Sequence, residues 1–205
     1  YSYSAATTGD TQSSTEEKTE EKVESTTSSS SSSNIRTPEM ERAYEDCLMV
    51  FRALCTLSMK EPGSKARESV VEKVLQNKVL TLELLYGVVE NAGPRLKTDA
   101  LFVDNAIKKH LCASLIHNGV STQVRVFKSS LSLFLSLMNN FRGPLRAEIG
   151  VFFSNILLRV LETPNSNTEQ KKLVLALLCH ICRKPQSLVD LYINYDCDLN
   201  STDVF

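Results

Sequence analysis

From residue 37 onward, apolar side chains recur every three or four positions, which is the spacing of one face of an α-helix. The first helix is predicted to begin at Thr37 to Glu39, where a capping hydroxyl, a proline at the first helical position and an acid occur together. The turn residues from Glu61 to Ser64 are predicted to end it. Its apolar positions are Met40, Tyr44, Cys47, Leu48, Phe51, Leu54 and Cys55.

The same spacing predicts further helices along the rest of the chain. The second lies between Val70 and Val89 and stops at Asn91 to Pro94, where Gly93 is expected to adopt a left-handed conformation and proline prevents continuation. The others are predicted from Asp99 to His117, from a capping Ser121 to the break at Arg142 to Pro144, from Leu145 to Glu162, from a capping Thr168 to Cys182, and briefly after Pro185.

The fourth and fifth predicted helices are apolar around much of their circumference, so other helices must cover them on several sides. Long helices joined by short Gly-Pro turns fit a stacked α-solenoid of the armadillo or HEAT kind. The similar turns Asn91 to Pro94 and Phe141 to Pro144 lie about 50 residues apart, a weak repeat. The predicted fold class is therefore all-α with stacked antiparallel helices, and a closed helical bundle is the alternative.

Composition divides the 205 residues into two parts. Half of residues 1–36 are Ser or Thr, six of the others are acidic, and almost none are large and apolar. Such a segment cannot offset an ordering cost of roughly 1–2 kcal/mol per residue, so it is predicted to be a disordered linker. Residues 37–205 are predicted to form the helical domain. Because the chain does not begin with methionine, we expect it to be a piece of a longer protein.

The sequence offers little support for catalysis or for a cofactor. It contains no Gly-rich phosphate-binding loop and no nucleophile elbow. Its basic pairs are scattered and balanced by acids, so no nucleic-acid partner is expected. No apolar run reaches the roughly 18 residues that a membrane span needs, and the N-terminus lacks the apolar core of a secretion signal. These features predict a non-enzymatic protein of the cytoplasm.

The six cysteines are predicted to be reduced thiols without a redox or metal role. Cys47 and Cys55 would lie about 12 Å apart on one helix, beyond the reach of a disulfide. Cys112 and Cys179 fall on apolar faces and are expected to be buried. Cys179 and Cys182 close a helix, where the dipole disfavours thiolate. No nearby pair of histidines has the spacing that would complete a zinc site.

The segment Ile193 to Asn200 alternates apolar and polar residues, unlike the rest of the chain. This period of two predicts an extended segment with Asp196 and Asp198 facing outward. Its predicted anchors on the helices are Ile193, Tyr195, Cys197 and Leu199. A calcium loop is disfavoured, because its sixth position is Ser201 rather than Gly. The acids have a structural alternative, in which Asn200 caps a following helix and Asp198 helps to hold that turn.

Four stretches of the chain resemble one family of large guanine-nucleotide exchange factors for Arf GTPases. The most specific is INYDCDLNSTDVF, from Ile193 to Phe205, which resembles the homology-upstream (HUS) box of that family. The others are similar to the brefeldin A-inhibited, trans-Golgi class and occur in the same order; they are VFRALCTLSMK (50–60), ENAGP (90–94) and KKHLCASLIHNGVS (108–121).

The resemblance implies an armadillo-like regulatory domain between an N-terminal dimerisation domain and a catalytic exchange domain. Such a domain would dock the dimerisation domain and tune recruitment to the trans-Golgi membrane and exchange on Arf GTPases. The interaction residues implied are Asn194, Tyr195, Asp196, Cys197 and Asp198. No catalytic residue, metal or cofactor is implied for this segment. A general α-solenoid scaffold that binds other adaptor proteins is the alternative, although it has no need of an acidic box.

Overall fold

The computed structural model describes residues 37–164 and 166–197. The described part is helical with turns and contains no strand, which confirms the predicted all-α class. No helix in it is both long enough and apolar enough to cross a membrane. The linker predicted for residues 1–36 lies outside the described residues, as do Asp198, Leu199 and Asn200.

The helices follow the order predicted from the sequence. Three stretches have the wider i→i+5 pattern of a π-helix, and each directly adjoins an α-helix. The elements are α1 (Pro38–Ser58), α2 (Glu68–Glu90), α3 (Pro94–Thr98), π1 (Phe102–Leu111), α4 (Cys112–Gly119), α5 (Val124–Asn140), α6 (Arg146–Phe152), π2 (Phe153–Leu158), α7 (Arg159–Glu162), α8 (Thr168–Cys182), α9 (Pro185–Leu191) and π3 (Tyr192–Asp196).

Of the three N-terminal caps predicted from the sequence, one is confirmed and two are wrong. Thr37 caps α1 as predicted, with its Oγ1 accepting a hydrogen bond from the Met40 amide at 3.3 Å. The cap of α8 is Asn167 rather than Thr168, because the Asn167 side chain accepts from the Glu169 amide at 2.9 Å. The cap predicted at Ser121 is also wrong. Helix α5 begins at Val124, and Gln123 occupies its cap position. The Ser121 hydroxyl accepts a hydrogen bond from the Gln123 amide at 3.3 Å, before the helix begins.

The turn after α2 differs from the prediction for Gly93. This residue has φ −71°, outside the left-handed region, and it is the cap before α3 rather than the end of α2. Helix α2 ends at Glu90, and the cap that follows it is Asn91, whose side-chain amide donates to the Gly87 carbonyl at 2.7 Å. Asparagine therefore satisfies a terminal carbonyl of α2, a task that needs no residue with positive φ.

The helices pack in two layers. We call each helix, or each run of directly adjoining helices, a rod. The first layer contains the rods α1, π1 with α4, α6 with π2 and α7, and α9 with π3. The second layer contains the rods α2, α5 and α8. Helix α2 contacts α1 and α5, and α5 contacts α4 and α8, while α8 contacts α7 and α9. Within the first layer, α1 also contacts π1 and α4. This arrangement is compatible with the predicted solenoid.

Polar contacts show that the rods of one layer run in the same direction. In the second layer, Arg125 near the start of α5 lies 3.6 Å from Glu72 near the start of α2. At the other end, the Ser136 hydroxyl donates to Glu90 at 2.6 Å. The start of α8 is likewise close to the start of α5, since the Gln170 side chain donates to the Ser121 carbonyl at 2.7 Å.

Helix α5 lies at the centre of the core, as the apolar residues around much of its circumference predict. Nine of its residues are buried, including Phe134. The Phe134 ring stacks on Phe152 at a centroid distance of 4.1 Å and meets Phe153 edge-on at 5.7 Å. Towards the first helix, Phe102 packs edge-on against Phe51 at 5.2 Å. The Phe134 contacts join the two layers, whereas the Phe51–Phe102 contact joins two neighbouring elements of the first layer.

A charged cluster ties the loop after α1 to the neighbouring helices. The Lys78 ammonium is nearly fully buried and donates to the Glu61 carboxylate. The same carboxylate oxygen lies 2.9 Å from Nε2 of His117 on α4. The hydrogen bond from Lys78 is the main reason why the pKa of Glu61 lies below its usual range. Glu61 therefore supplies the negative charge beside a buried cation, and such a cation is costly when it stands alone.

Replacing Glu61 by Gln is expected to lower the free energy of unfolding by about 1 kcal/mol near pH 7, since the carboxylate is largely exposed and water screens it. The pKa of Glu61 is depressed in the folded protein, so this stabilisation is present above the unfolded-state pKa near 4.5 and disappears as the pH falls through the folded-state pKa. Urea unfolding of both proteins at about pH 7 and about pH 3 measures the difference.

Glu162→Gln is the matched control, because it removes an exposed acid from α7. It should leave the free energy of unfolding nearly unchanged at either pH. Equal stability of the wild type and Glu61→Gln near pH 7 would show that Glu61 does not compensate Lys78.

Candidate functional site

The box residues lie at the end of the last described helix. Asn194, Tyr195 and Asp196 belong to π3, Cys197 follows directly, and Asp198 lies outside the described residues. The extended conformation predicted for this segment is therefore wrong over the part that the structure describes. The Asn194 side chain donates to the Asp190 carbonyl at 2.7 Å, and the Cys197 amide donates to the Tyr192 carbonyl at 3.1 Å.

Helical geometry also changes which box residues are anchored. Residues two apart in a helix point about 200° apart, so Ile193 and Tyr195 cannot share one face. Tyr195 is 2% exposed, which confirms its predicted anchoring role, whereas Ile193 is 58% exposed. Cys197 is exposed as well. The predicted anchoring of Ile193 and Cys197 is therefore wrong.

Tyr195 joins the last helix to α6. Its hydroxyl donates to the Arg146 carbonyl at 2.7 Å. Its ring lies so close to Gly150 that a Cβ atom at that position would be 3.0 Å from Cε1 of the tyrosine. Burial raises the pKa of Tyr195 to about 12, so the phenol stays protonated and remains a donor at neutral pH. The absence of a side chain at Gly150 thus makes room for the tyrosine.

The Arg146 side chain also binds the last helix. Its Nε donates to the Asn194 carbonyl at 2.7 Å, and its Nη2 donates to the same oxygen. This carbonyl lies in the last turn of the helix, where terminal carbonyls lack partners within the helix and a cation is favourable. The backbone of Asn194 and the ring of Tyr195 are therefore both held by one residue of α6.

A second arginine, one helical turn earlier in sequence, repeats this arrangement. Arg142 donates to the Asp190 carboxylate through Nη1 and to the Ser187 hydroxyl through Nη2, the latter at 3.2 Å. Gln186 donates to the other oxygen of Asp190 at 2.7 Å. The Arg142 and Asp190 side chains are only about a quarter exposed, so water screens this pair less than a surface pair.

Both arginines were missed as site residues by sequence reasoning. The signal was present as a register: Arg142 and Arg146 are four residues apart, as are Asp190 and Asn194, and each arginine contacts the residue 48 positions later. Two matched i, i+4 pairs predict parallel helices only once those helices are known to be neighbours, and sequence alone does not state this.

Asp196, which the alternation predicts to face outward, is only partly exposed. It is half-buried, and its Oδ2 atom is shielded from solvent. The outer face of this last helix carries apolar side chains instead, with Val189 49% exposed and Tyr192 55% exposed. The described box is thus mainly a set of contacts to α6, with an apolar surface beside it.

The cysteines are all free thiols in the described part of the chain. Cys179 is exposed, so its predicted burial is wrong, and Cys182 is exposed as well, whereas Cys112 is half-buried. Burial raises the pKa of Cys55 and of Cys112 to about 12, so these thiols are poor nucleophiles. Among the described residues, no group of three or more His, Cys, Asp or Glu side chains could hold a metal ion.

Comparison with known proteins identifies related sequences over most of the chain. Residues 43–204 match the family described as "Mon2/Sec7/BIG1-like, HUS domain". The chain is 46% identical over 161 residues to brefeldin A-inhibited guanine nucleotide-exchange protein 1 of Homo sapiens, covering 78% of this chain and 9% of that protein. It is 36% identical over 169 residues to protein 4 of the same name in Arabidopsis thaliana, covering 82% of this chain and 10% of that protein.

The chain therefore spans about a tenth of the length of the curated relatives it matches. The matched part of this chain includes every described helix except the first residues of α1. It also includes the box and the α6 residues that hold it.

Tyr195→Ala is expected to lower the free energy of unfolding by roughly 3–5 kcal/mol, because it empties the space beside Gly150 and removes a large buried ring. Tyr195→Phe keeps the ring and loses one hydrogen bond, which costs about 1 kcal/mol. Tyr192→Ala is the matched control, since Tyr192 is 55% exposed on the same helix. Urea unfolding of the three variants measures the series, and equal losses for Tyr195→Ala and Tyr192→Ala would contradict the anchoring role.

Proposed function

The chain belongs to the Sec7-like HUS domain family, and on this basis we propose that it is a non-catalytic regulatory and protein-interaction domain of a guanine-nucleotide exchange factor for Arf GTPases. The observation that carries the proposal is the family match over residues 43–204, together with relatives whose names describe guanine nucleotide exchange. Because this chain spans about 9% of those relatives, the exchange reaction is assigned to another part of the parent protein.

The polar groups of the site support a structural and binding role. The arginines that reach the last helix, Arg142 and Arg146, are engaged with Asp190, Ser187 and Asn194. Their guanidinium groups therefore position a helix, and their contacts do not form a phosphate cradle. A rigid helix held in this way can present a surface to another domain without an ordering cost at the moment of binding.

The partner we assign is the N-terminal dimerisation domain of the same protein, bound within one molecule or between molecules. In this proposal, Asn194 and Tyr195 hold the box on α6, while Asp196 and Asp198 meet hydrogen-bond donors of the dimerisation domain. Cys197 lies exposed between the two acids. Truncating a hydrogen-bonded charge at an interface is costly, because the opposite group loses its partner in a place that excludes water.

The setting that follows is the cytoplasmic face of the trans-Golgi network, with the full-length protein acting as a peripheral membrane protein in vesicle trafficking. Arf GTPases would be met by the catalytic domain, and this domain would tune recruitment and exchange through docking. What supports this setting is membership of the family and the names of the relatives, which describe brefeldin A-inhibited guanine nucleotide exchange.

The isolated chain is expected not to accelerate nucleotide exchange on an Arf GTPase, because the proposal places the exchange reaction in a separate domain. The measurement is release of a fluorescent guanine nucleotide from the GTPase, with and without the chain in excess. The parent protein serves as the positive control under the same conditions. Turnover by the chain at a rate near that of the parent would overturn the non-catalytic assignment.

Asp196→Ala combined with Asp198→Ala is expected to weaken docking of the dimerisation domain at least tenfold, while the melting temperature falls by only a few degrees. The matched control is Glu162→Ala combined with Glu169→Ala, which removes the same charge from exposed positions on α7 and α8. Titration calorimetry gives the affinity, and thermal melts of the same proteins give the stability.

These two measurements separate docking from capping. If the double variant of the box unfolds while its remaining folded fraction binds normally, the acids stabilise the fold and do not contact the partner. If the control pair weakens binding equally, the effect comes from net charge. Weakened binding by the box variant alone is the result that the proposal requires.

A further inference from the structure

Two Thr-Pro dipeptides occur in the chain, and the fold holds them very differently. Of the six prolines, only Pro38 and Pro164 follow a serine or threonine, and the residues before them are Thr37 and Thr163. A hydroxyl residue directly before proline is the minimal acceptor of proline-directed protein kinases. Proline also restricts the residue before it to extended backbone, the conformation in which kinases bind their acceptor residue. Both threonines have this conformation, with ψ 154° at Thr37 and 118° at Thr163.

Thr37 lies at the outer end of α1, where opening of the first turn disturbs little of the fold. Residues 37–40 are all exposed. The Thr37 Oγ1 atom accepts from the Met40 amide at 3.3 Å, and the Thr37 carbonyl accepts from the Glu41 amide at 3.0 Å. Such bonds at a helix end open at low free-energy cost. On the other side of Thr37, composition predicts a linker, so a kinase can bind this threonine without unfolding the helical domain.

Thr163 lies between two packed helices and is tied to its surroundings on both sides. Its amide and its hydroxyl donate to the Arg159 carbonyl of α7, at 3.0 Å and 2.7 Å. Its carbonyl accepts from the Ser166 amide at 3.2 Å. Helix α8 begins at Thr168, and it packs against α7. A kinase that needs several extended residues around its acceptor would have to separate these two helices.

The surroundings of Thr37 also suit the phosphorylated product. A phosphate adds about −1.5 to −2 charges and three strong acceptor oxygens. At Thr37 these oxygens lie beside the first amides of a helix of 21 residues, which lack partners within the helix and favour negative charge. Glu39 and Glu41 in the same turn oppose this attraction. The phosphate can therefore take over the capping role of the hydroxyl, and α1 stays intact.

We propose that Thr37 is a phosphorylation site for a proline-directed kinase, at the boundary between the linker and the helical domain. In the reaction, Oγ1 of Thr37 forms a bond to the γ-phosphorus of ATP. The bond from that phosphorus to the β,γ-bridging oxygen breaks, and ADP leaves. The proton of the hydroxyl passes to the catalytic base of the kinase.

The modification changes the charge at the start of the domain. Residues 37–46 contain four acids and one base, which gives a net charge of −3. A phosphate on Thr37 brings this charge to about −5. The first turns of α1 then form a concentrated anionic surface, which favours basic partners and repels acidic ones.

Phosphorylation of the whole chain by a purified mitogen-activated protein kinase with MgATP tests the proposal. The wild type should gain one phosphate, about 80 Da by intact mass, and peptide mass spectrometry should locate it on Thr37. Thr37→Asn should abolish the gain, although asparagine caps a helix at least as well as threonine and keeps α1 intact. Thr37→Ser keeps both the cap and the acceptor and should still be modified. Thr163→Asn is the matched control and should be modified like the wild type.

Exchange of each proline tests whether the kinase recognises the dipeptide. Pro38→Ala leaves the Thr37 hydroxyl in place and suits the first position of a helix, yet the initial rate should fall about tenfold or more. Pro164→Ala should leave the rate unchanged. Circular dichroism melts establish that every variant is folded. A wild type that gains no phosphate would overturn the proposal, as would undiminished modification of Thr37→Asn, loss of modification in Thr163→Asn, or equal rates for Pro38→Ala and the wild type.

Discussion

The burial of α5 is the constraint on which the arrangement of the other helices depends. Its apolar residues point in several directions, so one neighbouring helix cannot cover them, and α2, α4 and α8 all pack against it. Phe134 shows the consequence, since its ring meets both Phe152 and Phe153 of the rod that contains α6 and π2. Neighbours in its own layer and in the facing layer together cover these residues, whereas a single pair of helices would leave part of them in water.

The last helix depends on polar contacts more than on this core. Arg142 and Arg146 hold α9 and π3 parallel to α6, and Tyr195 closes over Gly150. Buried polar groups of this kind are directional, so they determine the register of the two helices more closely than apolar packing does. Neighbouring residues of the box therefore have two different roles. Asn194 and Tyr195 bind Arg146 of α6, while Asp196 and Asp198, the acids proposed for docking, follow them in the chain.

The candidate site was only partly predictable from the sequence. The box itself was recognised, and the burial of Tyr195 followed from its apolar character. Its conformation was predicted wrongly as extended. An alternation over eight residues fits a strand, but it also fits a helix in which only some of the apolar residues are buried. Arg142 and Asp190 are ordinary charged residues in the sequence, and their role appears only when two helices 48 residues apart become neighbours.

Local sequence signals determined the all-helical class, the order of the helices and most of their boundaries, because helical periodicity, proline and capping side chains act within a few residues. Even there, Asn167 caps α8 where Thr168 was expected, since adjacent polar residues offer similar hydrogen bonds. Which faces of the helices are covered was decided only by the tertiary structure. The exposed thiols of Cys179 and Cys182, the exposed apolar side chains of α1 and the pairing of Arg146 with Asn194 depend on neighbours far away in the chain. The spacing of residues along one helix does not specify those neighbours.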